Sequence, residues 1–195
     1  MKRLFLVHGW GGSSIEERYQ RLKEELESNG FKVHLLDMPD TENPKMQAWV
    51  SYLVKNVKTP DKDTYFVGNS IGCQTILCYL ETLPEKTKVG GAVFSAGWFN
   101  LKPIILSEGP EVVEMATLWL QTPINFKKIL QHCNNFTAIF SDDDPYVPLS
   151  DKDIFKKELG AKIIVEKKKG HFPGYDKGKR FCVVAEEILN ISNNV

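Results

Sequence analysis

Tyr65-Phe66-Val67-Gly68-Asn69-Ser70-Ile71-Gly72 puts a serine between an apolar run and a segment of helical spacing. The run before it, 64–67, reads as a strand covered on both faces. After it, Ile76, Leu77 and Leu80 recur as the buried face of a helix over 71–81. The pattern G-x-S-x-G therefore sits at a strand-to-helix turn, the setting in which it raises a serine Oγ above the carboxyl end of a parallel sheet. Gly68 and Gly72 carry no side chain, so strand and helix can approach closely enough to make the turn.

Upstream, the apolar residues 4–7 form a first strand that ends in His8-Gly9-Trp10-Gly11-Gly12. Ser13-Ser14 ahead of Glu16 and Glu17 reads as an N-cap, and Tyr19, Leu22 and Leu26 mark an amphipathic helix stopped by Asn29-Gly30. Residues 31–36 are the second strand and 37–44 a loop. Met46, Trp49, Val50, Leu53, Val54 and Val57 then follow at helical spacing. Downstream, 91–95 is the fourth strand. The stretch 98–123 lacks strand signals and is longer than an ordinary connection, so it reads as an excursion over the site, a small cap. Helix 126–131, strand 135–140, the loop Asp142-Asp143-Asp144-Pro145, strand 162–165, the loop 167–174 and a helix over 179–191 complete the chain.

Strands alternating with helices predict a doubly wound, mainly parallel sheet of about six strands between two layers of helices. At 195 residues and 42% hydrophobic content the chain reads as one domain, 1–195, with the cap at 98–123. Lysine plus arginine and aspartate plus glutamate number 25 each, which gives no net charge to attract nucleic acid or an anionic membrane. The cysteines at 73, 78, 133 and 182 have no C-x-x-C spacing and read as reduced thiols. The first apolar run is too short for a signal-peptide core and no segment approaches a membrane span, so the expectation is a cytoplasmic protein.

In such a sheet the loops after the strands converge on one crevice. Four carry chemistry here: 8–12, Ser70, 142–144 and Gly170-His171-Phe172. A serine hydroxyl needs a general base, and the base needs a carboxylate to orient it. Ser70, an aspartate at 142, 143 or 144, and His171 follow the chain order of α/β-hydrolases. The residues leave the choice of aspartate open, the remaining two being turn-formers. An oxyanion would be met by the N–H of Ile71, directly after the nucleophile, and by a second N–H from the first loop, read as that of Trp10. His34 and His132 carry no triad logic and read as structural, and His8, which resembles the His-Gly opening of hydrolase oxyanion loops, reads as structural rather than as the base. The glycines at 9–12 lack a G-x-G-x-x-G or G-K-[ST] completion, so a phosphate loop is not supported. Lys167-Lys168-Lys169 reads as a solvated face before the histidine, with an acidic substrate as the alternative. Trp98, Phe99, Met115 and Trp119 either line an acyl pocket or pack the cap onto the body, with Trp98, Phe99 and Trp119 taken as substrate-binding.

Gly68-Asn69-Ser70-Ile71-Gly72, Asp143-Asp144-Pro145-Tyr146-Val147-Pro148, Gly170-His171-Phe172 and Met38-Pro39-Asp40 together resemble the small α/β-hydrolases related to retinoblastoma-binding protein nine and bacterial YdeN. The likeness runs over nearly the whole chain. It implies a three-layer α/β-hydrolase fold, with Ser70 as nucleophile, Asp144, the aspartate directly before proline, as the acid, and His171 as the base. The mammalian relative is named for a partner bound through Leu-x-Cys-x-Glu. No cysteine here stands in that pattern, so that partner is not implied and any protein partner is unknown. The expectation is a serine hydrolase that cleaves a small acyl substrate, an ester, thioester or activated amide, through an acyl-enzyme, without metal or organic cofactor. A protein-interaction module on the same scaffold is the alternative, and a peptidase or acyltransferase would use the same residues.

Overall fold

The computed structural model describes residues 1–171 and 182–193. Among them, β1 (Arg3–Val7), β2 (Lys32–Leu36), β3 (Thr64–Asn69), β4 (Gly91–Ser95), β5 (Phe136–Ser141) and β6 (Lys162–Glu166) form one sheet in the order β2-β1-β3-β4-β5-β6. Every pairing is parallel. The chain steps outward from β1 to β2, returns past β1 to β3, and then proceeds the other way. The reversal falls between β1 and β3, and the loops leaving those two strands part there to open a crevice.

Side-chain alternation along the strands builds the two faces. Leu4, Leu6, Tyr65, Val67, Val93 and Ile139 point to the face covered by α1 (Glu17–Ser28) and α7 (Val183–Asn193). Phe5, Val7, Phe66, Phe94, Ala138 and Phe140 point to the other, covered by α2 (Met46–Val57), α3 (Ile71–Glu81), α5 (Phe126–Leu130) and α6 (Asp151–Leu159). This is a three-layer α/β-hydrolase fold. All residues of β3 are buried, as their position beneath both layers requires, and each large apolar side chain so covered contributes about 1.5–3 kcal/mol.

Helices 46–57 and 71–81 and strand 91–95 begin and end where the sequence pattern put them. The third strand is longer than 64–67, because Gly68 and Asn69 keep pairing with Phe94 and Ser95 of β4. The expected N-cap at Ser13-Ser14 does not form. Helix α1 starts at Glu17, while the Ser13 and Ser14 N–H groups donate to the carboxylates of Glu16 and Asp37. Helix α6 was not anticipated, although Asp151 and Asp153 in its first turn, Phe155 and Leu159 one turn apart and Gly160 at its left-handed end are ordinary helix signals. The excursion at 98–123 holds a 3-10 turn (Pro103–Glu108) and α4 (Pro110–Leu120). The expected start of the last helix, 179–181, and Phe172 lie outside the described residues. No helix among the described residues is long and apolar enough to cross a membrane.

Candidate active site

Ser70 joins β3 to α3 with φ 52° and ψ −123°, a conformation that costs a non-glycine residue about 1–3 kcal/mol. Two backbone bonds hold it there: Ser70 N–H donates to Ser95 O at 2.9 Å, and Cys73 N–H donates to Ser70 O at 2.9 Å. The flanking glycines are dictated by space. A Cβ on Gly72 would stand 2.2 Å from Val7 O and 2.7 Å from His8 O, and one on Gly68 would stand 2.8 Å from Cys73 Cα. The elbow is thus pressed directly onto the carboxyl end of β1.

His171 Nε2 lies 3.0 Å from Ser70 Oγ, and its Nδ1 lies 3.0 and 3.1 Å from the two carboxylate oxygens of Asp144. A carboxylate only accepts, so the imidazole proton belongs on Nδ1 and Nε2 is left to accept from the serine hydroxyl. Asp144 is 3% exposed, and its Oδ1 also accepts from the N–H groups of Tyr146 (2.8 Å) and Val147 (2.9 Å). The Tyr146 ring meets the imidazole edge-on at 5.3 Å. Lys102 Nζ donates to the Asp144 carbonyl at 2.6 Å, and Lys102 N–H donates to Tyr146 O at 2.7 Å, which ties the excursion to this loop.

Asp142 and Asp143 do not reach His171, and they are more than turn-formers. Asp142 Oδ1 accepts from Lys168 N–H, Ser141 Oγ from Lys169 N–H and Asp143 Oδ1 from Gly170 N–H, at 2.8, 2.9 and 2.8 Å. Three successive side chains at the end of β5, the last of the strand and the two after it, thereby bind three successive N–H groups after β6. The Ser141 hydroxyl, donating to Asp143 at 2.6 Å, and the Gly170 N–H hold that carboxyl below the usual carboxylate range.

His8 is fully buried. Its Nε2 accepts from Met38 N–H at 3.1 Å, which leaves the proton on Nδ1, 2.8 Å from Gly9 O. Burial pushes its pKa below 6.5, against the hydrogen bond to Gly9 and the pull of Glu16 and Asp37. It is a neutral brace beneath the first loop, and its Nε2 is spoken for. His34 stacks on Phe5, and His132 Nδ1 bonds to Thr87 O. The N–H groups of Trp10, in the first loop, and of Ile71, the first residue of α3, have no acceptor among the described residues.

A cleft of about 440 Å³ opens over Ser70 and His171. Gly9, Trp10, Gly12 and Arg18 line it together with a mainly apolar set, Trp98, Leu101, Ile105, Val112 and Ala116, which Glu108 and Tyr146 interrupt. Of the aromatic residues expected to bind substrate, Trp98 lines this cleft and Phe99 and Trp119 do not. Trp119 is buried beneath, its indole N–H tied to Pro44 O at 2.9 Å and its ring against Trp49. Phe99 packs between Phe126 and Phe155. Met115 also packs on the core. None of Lys167, Lys168 and Lys169 lines the cleft. Val112 and Ala116 stand one turn apart on α4, a spacing visible in the sequence once the segment is recognised as a helix. No cluster of His, Cys, Asp and Glu among the described residues could hold a metal ion.

Residues 4–179 match the family model described as serine hydrolase. The chain belongs to the serine hydrolase family. Within it, Bacillus subtilis YdeN is 27% identical over 171 residues, which cover 88% of this chain and 86% of that protein. Serine hydrolase RBBP9 of Rattus norvegicus is 23% identical over 170 residues, covering 86% and 85%. The crystal structure of the ydeN gene product superposes with a TM-score of 0.85 at 25% identity over the full length of both chains. Est1E of Butyrivibrio proteoclasticus, with ferulic acid bound, shares the fold at a TM-score of 0.69 and 14% identity, over all of this chain and 88% of its own. Membership of the serine hydrolase family makes this chain a hydrolase.

Proposed function

We propose that this hydrolase cleaves a carboxylic ester, thioester or activated amide through an acyl-enzyme on Ser70. The observation that carries the reading is the row in which Ser70 Oγ, His171 and Asp144 follow at 3.0 Å intervals, with Ser70 and His171 lining the cleft and Asp144 buried behind them. His171 Nε2 takes the hydroxyl proton as Oγ attacks the carbonyl carbon, and the buried Asp144 holds the imidazole in the Nδ1–H tautomer and stabilises the imidazolium. The N–H groups of Ile71 and Trp10 receive the oxyanion. The imidazolium then protonates the leaving group, and water enters by the same route in reverse. Every step uses groups of this chain, so the chemistry asks for no metal or organic cofactor.

The chain acts as one domain, with 98–123 as the cap over the acyl group. The mainly apolar lining from Trp98 to Ala116 supports an apolar acyl substrate. Four unpaired cysteines support a reducing, cytoplasmic setting. Ser70→Ala should lose both p-nitrophenyl ester turnover and fluorophosphonate labelling while remaining folded. Equal labelling of the variant would refute the assignment. Activity across a series of acyl esters should rise with chain length and then fall, and indifference to length would remove the acyl-wall role of the cap.

A further inference from the structure

Among the described residues, Ser70 Oγ has two hydrogen-bond partners. It lies 3.0 Å from His171 Nε2, and Trp98 Nε1 lies 3.3 Å from it on a separate element. An indole N–H is only a donor, so Trp98 addresses an Oγ lone pair while the hydroxyl proton is directed at the imidazole. Trp98 is 2% exposed, and the turn that carries it after β4 is fixed on both sides. Before it, Ala96 holds a φ of 49°, and a Cβ on Gly97 would stand 2.6 Å from the Phe155 ring and 3.1 Å from Cys73 Cβ and Sγ. After it, the fully buried carboxylate of Asp151 accepts from Phe99 N–H at 2.6 Å, from Asn100 N–H at 2.8 Å and from Asn100 Nδ2 at 2.8 Å. A buried carboxylate bound to three donors of one turn leaves that turn little freedom to move the indole.

We propose that Trp98 is a catalytic residue whose indole N–H stabilises charge on Ser70 Oγ during attack, and that Asp151 is the positioning residue that holds it there. The proposal rests on Ser70 being the nucleophile. In the step concerned, the hydroxyl proton passes to His171 Nε2 and an Oγ electron pair forms the bond to the carbonyl carbon. The carbonyl π pair moves onto its oxygen, and Trp98 keeps its proton throughout. A hydrogen bond to an anionic oxygen is about twice as strong as one to a neutral oxygen. The resting bond is long for N–H···O and can shorten as charge develops. Trp98 therefore binds the transition state more tightly than the resting state, which raises kcat and leaves KM alone. When the acyl-enzyme breaks down, Oγ departs with its electron pair and meets the same donor. A ring that merely walls the acyl chain would instead govern KM and chain-length preference.

The test is the rate of labelling by fluorophosphonates of short and long alkyl chain, with steady-state kinetics on p-nitrophenyl esters. The variants are Trp98→Phe, Asp151→Asn, the two combined, and a protein with benzothienylalanine at position 98, which keeps the bicyclic shape and lacks the N–H. Loss of one hydrogen bond to a developing charge should slow labelling about tenfold. The factor should be the same for both chain lengths, with kcat reduced and KM unchanged. Asp151→Asn should slow the Trp98 protein and add nothing to Trp98→Phe. Labelling of the benzothienylalanine protein at the wild-type rate, or a loss that grows with chain length and appears in KM, would overturn the role of Trp98. Failure of the underlying reading is separate: Ser70→Ala would then label like wild type, or wild type would not label at all.

Discussion

Gly72→Ala adds a single methyl group where the elbow meets β1. The new Cβ would lie 2.2 Å from Val7 O, about 1.2 Å short of the 3.4 Å at which ordinary contact begins, and 2.7 Å from His8 O. The Val7 oxygen has little room to yield, because β1 is paired with β2 on one side and β3 on the other through Val7. The first turn of α3 must move instead, and Ser70 and Ile71 go with it. Overpacking of this kind costs about 3 kcal/mol, which for a chain of this size lowers Tm by about 6–12 °C. If Ser70 attacks as proposed, a displacement near 1 Å of its Oγ should lower kcat/KM about 10²-fold. Gly30→Ala is the control. Its φ of 85° strains any side chain by about 1 kcal/mol, yet no atom lies within 4 Å of the new Cβ, so Tm should fall by about 2–4 °C with activity intact. Differential scanning fluorimetry and p-nitrophenyl ester kinetics read both effects. A Gly72→Ala protein that melts within about 2 °C of wild type and keeps full turnover would refute the spatial argument for this glycine.

Asp144→Asn should lower turnover by about 10³-fold or more while the melting curve holds, because an amide cannot stabilise the imidazolium. Asp143→Asn should lower it far less, since that side chain holds the histidine's loop and does not touch the imidazole; comparable losses in the two would place the acid wrongly. Stability should also fall between about pH 7.5 and about pH 5.5. The folded-state pKa of His8 lies below 6.5, so the unfolded chain takes up its proton first and stability drops as pH falls through 6.5. His34, also lowered by burial, adds to the same trend. The urea midpoints at the two pH values should lie closer together in His8→Gln, and an unchanged gap would rule His8 out as the cause.

The sheet and its serine turn were legible because two periods, that of buried strands and that of amphipathic helices, alternate clearly around 65–72. Ser70 and His171 stood out because chain order and strand-end position agree for both. The choice among Asp142, Asp143 and Asp144 could not be read from spacing, since adjacent residues on one turn differ only in where backbone geometry aims them. In space Asp144 meets His171, and its neighbours turn to the loop of residues 168–170. Aromatic residues misled for a related reason. Trp119 and Phe99 look like pocket residues in a linear chain, yet a ring's destination depends on the path of its segment, and the core took both. Helix α6 escaped notice because its polar first turn adjoins the aspartate-rich loop, which masks the repeat of Phe155 and Leu159.

The members of the Ser70–His171–Asp144 row are unevenly mounted. Asp144 and His171 leave β5 and β6, neighbours joined up to Ser141 and Glu166 and then laced by side chains from 141–143. Ser70 leaves β3, with β4 interposed. Asp144 and His171 therefore travel as one rigid jaw, and Ser70 belongs to another. Any slip between β4 and β5 widens the Ser70–His171 gap and spares the His171–Asp144 pair. On warming, the active site should come out of alignment at one joint, before the sheet as a whole lets go.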